Sequence, residues 1–130
     1  AYRRIAGDDM HLPVEMDVLR ALKRDRDVEK VWAMLQKADV PPAVWKEGKV
    51  VYGTFLLEKG DAAGAWDLTG PERVGPNAGE ADLRVWYVAA RAAAFNGDTA
   101  TARRIADAIV LNDPSFAGLD ALDQEIVKRS

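Results

Sequence analysis

The residue types that carry most enzyme chemistry are scarce in this chain. There is no cysteine and one histidine, His11. A thiol nucleophile, a disulfide framework and a thiolate metal site are therefore excluded, as is any site needing two histidines. His11, next to Met10, reads as a surface residue. The carboxylates offer two close groupings, Asp8-Asp9 and Asp25 with Asp27. Paired carboxylates do acid–base work only when held facing one substrate. Asp8-Asp9 lies in a polar leader, and Asp25 and Asp27 flank a break between helical blocks, where aspartate is expected as a cap. Neither grouping comes with a partner motif. The expectation is a protein that is not an enzyme, with no catalytic residue, no cofactor and no metal site.

Composition narrows the remaining classes. The chain has 130 residues, 48% hydrophobic and 30% charged, which suits one domain with a real core. Its net charge of −3 gives no reason to expect nucleic acid as a partner. No stretch approaches the roughly 20 apolar residues of a membrane span. Lack of cysteine fits the cytoplasm and a bacterial periplasm or cell envelope equally. The start Ala1-Tyr2-Arg3-Arg4 reads as a processed end or a cut from a longer protein, and no apolar stretch follows the arginine pair as an export signal requires.

Proline and glycine divide the rest into helix-sized blocks. Residues 1–12 read as the polar leader, and Pro13 suits a first helical turn. Val14, Val18, Leu19 and Leu22 follow at spacings of three and four. Val28, Val31, Trp32, Leu35 and Ala38 form a second apolar face, stopped by Pro41-Pro42. A third block carries Val44, Val51, Phe55 and Leu56 to Gly60-Asp61, and a short fourth carries Ala62, Ala65, Trp66 and Leu68. Gly70–Gly79 is the longest break, a loop with one helical turn expected at Pro71. Leu83, Trp86, Tyr87, Ala90 and Ala94 mark the fifth block, which Gly97-Asp98 closes. Ala102, Ile105, Ala106 and Ile109 mark the sixth. After Asp113-Pro114, Phe116, Leu119, Leu122 and Ile126 make a last amphipathic stripe. No segment alternates with period two, so no strand is expected.

The blocks repeat. Asp27 to Trp32 and Asp61 to Trp66 pair an aspartate with a tryptophan five residues on, the two aspartates 34 apart. Gly60-Asp61 and Gly97-Asp98 stand 37 apart, leaving room for a loop insertion. A period near 34 marks a solenoid of helical hairpins. The unit from about residue 81 to 112 resembles a tetratricopeptide repeat: Trp86 at the tryptophan position, Ala90 and Ala102 at small positions, Gly97-Asp98 at the turn, Asp113-Pro114 at the close. The second unit matches through Gly53, Gly60-Asp61 and Ala65, with Lys49 where the tryptophan would stand. The first keeps Ala38 and an Asp27 turn but lacks the glycine.

The resemblance implies an all-α fold, an α-α superhelix of about three hairpins (13–40, 43–69, 81–112) and a capping helix over 115–128. A compact helical bundle is the rival that shows the same amphipathic blocks. It further implies a protein–protein interaction module. The first helix of each hairpin would line a concave groove holding a peptide or helix, through Met16, Arg20, Lys23 and Arg24, then Glu47, Val50, Thr54 and Leu57, then Arg84, Tyr87, Arg91 and Phe95. Five of these positions are basic, so an acidic segment or a free C-terminal carboxylate is the expected ligand. The lysines and asparagines with which some relatives clamp chaperone tails are absent as a set. Trp32, Trp66 and Trp86 are expected in the core, with Trp45 partly exposed. The alternatives are a self-assembling scaffold, a homo-oligomer stacked through Phe116, Leu119, Leu122 and Ile126, and an accessory domain of a larger enzyme.

Overall fold

The computed structural model describes residues 9–130. The leader expected over 1–12 lies mostly outside them, as does Asp8. Asp9–His11 form a short 3-10 turn, and Leu12, expected at the end of the leader, already belongs to a helix and is fully buried. The described residues form seven α-helices and no strand: α1 (Leu12–Ala21), α2 (Asp25–Lys37), α3 (Pro42–Glu58), α4 (Ala62–Thr69), α5 (Glu80–Phe95), α6 (Thr99–Asn112) and α7 (Leu119–Arg129).

Local chemistry sets where these helices begin. Pro13 and Pro42 occupy opening positions, where the missing N–H leaves no hydrogen bond unmade. Asp61 and Asp98 cap α4 and α6, each Oδ1 accepting from a backbone N–H, of Gly64 at 2.8 Å and of Thr101 at 3.1 Å. Such caps contribute about 1 kcal/mol each. Hydrogen bonding with Thr101 holds the Asp98 carboxyl below its ordinary value.

The turns between paired helices share one geometry. Lys23, Gly60 and Gly97 all take positive φ, at 60°, 82° and 85°. The next N–H reaches back five residues in each, Arg24 to Leu19, Asp61 to Leu56 and Asp98 to Ala93, at 2.8–2.9 Å. This is a left-handed helix stop that satisfies a final carbonyl. These positions stand 37 residues apart throughout. The spacing of 34 read from Asp27 and Asp61 is thus displaced by three: Asp61 corresponds to Arg24, and Asp27 instead pairs with Arg24 at 2.5 Å. No insertion is needed either. α4 is short, and Gly70–Gly79 replaces its last turns while the step stays constant.

That loop contains no helical turn at Pro71. It is tied to α6 by Asn112, whose Nδ2 donates to the Gly75 carbonyl at 2.9 Å and whose Oδ1 accepts from the Ala78 N–H at 3.0 Å. Val74 and Ala78 pack on the core beside it.

α1 packs on α2, α3 on α4 and α5 on α6. The odd-numbered helices also touch in series, α1 on α3, α3 on α5 and α5 on α7, while α2 rests on α3, α4 on α5 and α6 on α7. One buried cluster joins α1, α2 and α3 around Leu12, Met16, Leu35 and Phe55. A second joins α5, α6 and α7, where Ala89, Ala90, Ala93 and Ala94 let Ile105 and Ile109 come close. Between them, Gly53 leaves room for Val88: a Cβ there would stand 2.9 Å from its Cγ1.

The aromatic residues follow the expected pattern and add to it. Trp32 is 7% exposed. Its ring stacks between Trp45 at 5.1 Å and Tyr52 at 4.4 Å, and Tyr52 continues to Phe55 at 5.6 Å. Trp45 is half-buried by this stack. Burial, then the Glu29 carboxylate to which it donates, pushes the Tyr52 hydroxyl up to about 12. Trp66 and Trp86 pack on the second cluster.

One expectation about α1 fails. Of Val14, Val18, Leu19 and Leu22, only Leu19 is buried; the core face is Leu12, Met16 and Leu19. Both sets have helical spacing, so the spacing alone does not choose between them.

Candidate functional site

A cleft of about 670 Å3 opens between α3, α5 and the α6–α7 turn. Val50 and Thr54 supply its α3 wall, and Leu83, Arg84, Tyr87, Val88 and Arg91 its α5 wall. Asn112, Asp113, Ser115 and Phe116 close the third side. The Thr54 hydroxyl is committed to the Val50 carbonyl at 2.7 Å. The Tyr87 hydroxyl donates to the Gly118 carbonyl at 3.0 Å, and the Tyr87 ring meets Phe116 at 5.6 Å. Gly118 has φ 95°, and a Cβ there would lie 2.5 Å from the Tyr87 oxygen. A glycine is therefore needed for both reasons, and it fixes the aromatic wall against the turn.

Of the expected groove residues, Val50, Thr54, Arg84, Tyr87 and Arg91 come together here. The others do not. Arg20 and Lys23 line a separate cleft of about 320 Å3, with Asp25, Phe55, Glu58 and Lys59. Arg24 pairs with Asp27. Phe95 lies outside both clefts, beneath the Arg129 guanidinium at 4.4 Å. Met16 is fully buried and unavailable to any ligand. Counted by the 37-residue spacing of the turns, Glu47, Val50 and Thr54 line up with Met10, Pro13 and Asp17 rather than with the positions expected from a spacing of 34.

The charge expectation also changes. Arg20 is held by Asp17 and Glu58, both at 2.9 Å, and Arg84 by Glu47 at 3.0 Å. Lys46 and Asp82 add a further link between α3 and α5 at 2.9 Å. Asp17–Arg20 lies within α1, and the pairs with Glu58, Glu47 and Asp82 fasten neighbouring odd-numbered helices, so these cations are already neutralised by a neighbour. Among the described residues, Arg91 makes no ion pair within 4 Å, although its charge is one of those that help Arg129 hold the Glu125 carboxyl below its ordinary value. Glu80 and Asp113 also line the cleft, and Asp113 accepts from the Ser115 N–H at 3.1 Å. The site is an apolar wall with one uncommitted cation among mixed charges, not a field of positive potential.

The α6–α7 turn was missed from sequence because Asp113-Pro114 reads as punctuation. Phe116, an aromatic residue just after that break, was the available signal. No group of three or more His, Asp or Glu among the described residues is placed to hold a metal. No described helix is long and apolar enough to cross a membrane. No protein-family model, curated protein or solved structure matches the chain significantly.

Proposed function

We propose that this chain is a tetratricopeptide-like helical-repeat module that binds another protein, taking a peptide or helix into the cleft between α3, α5 and the α6–α7 turn. The repeat part of this reading is supported by three equivalent turns 37 residues apart and by the serial packing of the odd-numbered helices. The 37-residue step is three longer than the usual tetratricopeptide step of about 34. The observation that carries the binding part is the cleft itself. It combines a preset Tyr87–Phe116 wall with Arg91, a guanidinium left without an ion pair among the described residues. An apolar side chain would lie on that wall, and one carboxylate would meet Arg91 as a charge-assisted, two-pronged contact.

The test is fluorescence anisotropy with labelled peptides that carry one aromatic or aliphatic anchor, with and without an acidic residue beside it. Arg91→Glu should weaken the acidic peptides about tenfold, as expected for a charge-assisted pair, and leave the neutral ones nearly unchanged. With a single cation involved, affinity should fall only modestly between roughly 50 and 150 mM salt. Equal binding of all peptides by the wild type and by Arg91→Glu and Tyr87→Ala variants would remove the cleft as the site.

A further inference from the structure

The cleft holds more free charge than Arg91, and the order of that charge narrows what can fill it. α5 lines the cleft along most of its length. Glu80 opens the helix, Leu83, Tyr87 and Val88 follow, and Arg91 stands near its far end. At 1.5 Å per residue, Glu80 and Arg91 are about 16 Å apart along the axis. Arg84, between them, is spent on Glu47 at 3.0 Å.

The Glu80 end is acidic twice over. α5 and α6 form an antiparallel hairpin, so the last residues of α6 lie beside the start of α5. Asn112 fixes this: its Oδ1 accepts from the N–H of Ala78, just before Glu80, at 3.0 Å. Asp113, the next residue, therefore lines the cleft at the Glu80 end. Its carboxylate accepts from the Ser115 N–H and hydroxyl. Neither Glu80 nor Asp113 has an ion-pair partner within 4 Å among the described residues. At the other end, Glu125 is close enough for Arg91 to act on its carboxyl, but it already pairs with Arg129. The cleft thus runs from two carboxylates, over an apolar middle, to one guanidinium. A segment acidic throughout would meet repulsion at the Glu80 end, and a basic one at Arg91; such mismatches select between partners.

Resting on the reading of this cleft as a protein-binding site, we propose that its partner is an extended segment with a basic and an acidic residue on either side of an apolar anchor. The cation meets Glu80 and Asp113, and the anion meets Arg91. Geometry sets the spacing. At about 3.3 Å per residue, an extended chain covers the distance in about five residues. Tyr87 lies about 10 Å along α5 from Glu80 and about 6 Å from Arg91. The anchor therefore falls about three residues from the cation and two from the anion. A helix spanning the same length, about 10 Å across, would occupy roughly 1,300 Å3. That is about twice the 670 Å3 of the cleft, which favours the extended form.

Titration calorimetry of the full chain with end-blocked hexapeptides tests this. The matched probe is Lys-Ser-Ser-Leu-Ser-Glu. One control, Ser-Ser-Ser-Leu-Ser-Glu, lacks the cation, and another, Ser-Ser-Ser-Leu-Lys-Glu, puts it beside the anion. Each is made in both chain directions. In one direction the matched probe should bind about fivefold tighter than either control. Glu80→Gln with Asp113→Asn should erase that ratio; both replacements keep side-chain size, the asparagine keeps an acceptor for Ser115, and far-UV circular dichroism checks the fold. A matched probe no tighter than its controls in either direction overturns the proposal, as does a ratio that survives in the double variant. If the controls still lose affinity in Arg91→Glu, the cleft remains a binding site and only the two-ended recognition fails. If no peptide binds, or if binding ignores both Arg91→Glu and Tyr87→Ala, the cleft reading falls and this inference falls with it.

Discussion

Lys23 occupies the left-handed turn position that Gly60 and Gly97 hold in the other two hairpins, and replacing it with glycine should stabilise the protein. An L-residue in the left-handed region carries a penalty of about 1–2 kcal/mol. Glycine removes that penalty but adds about 0.5–1 kcal/mol of backbone entropy lost on folding. Lys23 makes no ion pair within 4 Å among the described residues, so no contact is lost to offset the gain. The net expectation is a gain of about 0.5–1 kcal/mol, or roughly 2–5 °C in Tm for a domain this size. The reverse substitutions, Gly60→Ala and Gly97→Ala, should each destabilise by about 1 kcal/mol or more. Nothing lies within 4 Å of a Cβ built at either glycine, so that loss isolates the backbone term. Urea unfolding followed at 222 nm measures all three. A Lys23→Gly variant less stable than the wild type would refute the equivalence of the turns, and with it the 37-residue step.

Trp32→Ala should cost about 3–5 kcal/mol by urea unfolding, because it empties the centre of the stack formed with Trp45 and Tyr52. Asn112→Ala should free the Gly75 and Ala78 backbone groups, lowering stability by about 1–3 kcal/mol and speeding amide exchange at Ala78. Asp98→Ala should cost about 1 kcal/mol near neutral pH. The Asp98 carboxyl is depressed in the folded state, so its contribution is full above the unfolded carboxylate range and is lost as pH falls through the lower folded value. The gap between wild type and Asp98→Ala should therefore shrink in acid, and a gap that is unchanged there would show that the cap does not act through its charge.

The sequence by itself determined the helical blocks. Pro42, Gly60-Asp61, Gly97-Asp98 and the apolar spacing within each block act locally, through φ, missing donors and caps, so α3 to α6 fall within a residue or two of expectation. Ala102, Ile105, Ala106 and Ile109 were legible as a core face for the same reason, and Trp32 as a core aromatic. Register between hairpins was not legible. Asp27 looked like Asp61, and only the hydrogen bonds that close each turn show that Arg24 is its counterpart. That slip of three residues put Met16 into a groove from which it is fully excluded. Ion-pair partners were equally hidden: Glu58 lies 38 residues from Arg20 and Glu47 lies 37 from Arg84, so neutralisation of those cations depends on which helices touch. The choice between two apolar faces of α1 was also left open by the sequence, and packing against α2 and α3 decided it. Dihedral preferences and capping are properties of a few neighbouring residues and can be read in order along the chain. Which face is buried, which charge is spent on a neighbour and which surface stays open depend on distant segments meeting, and only the folded arrangement decides them.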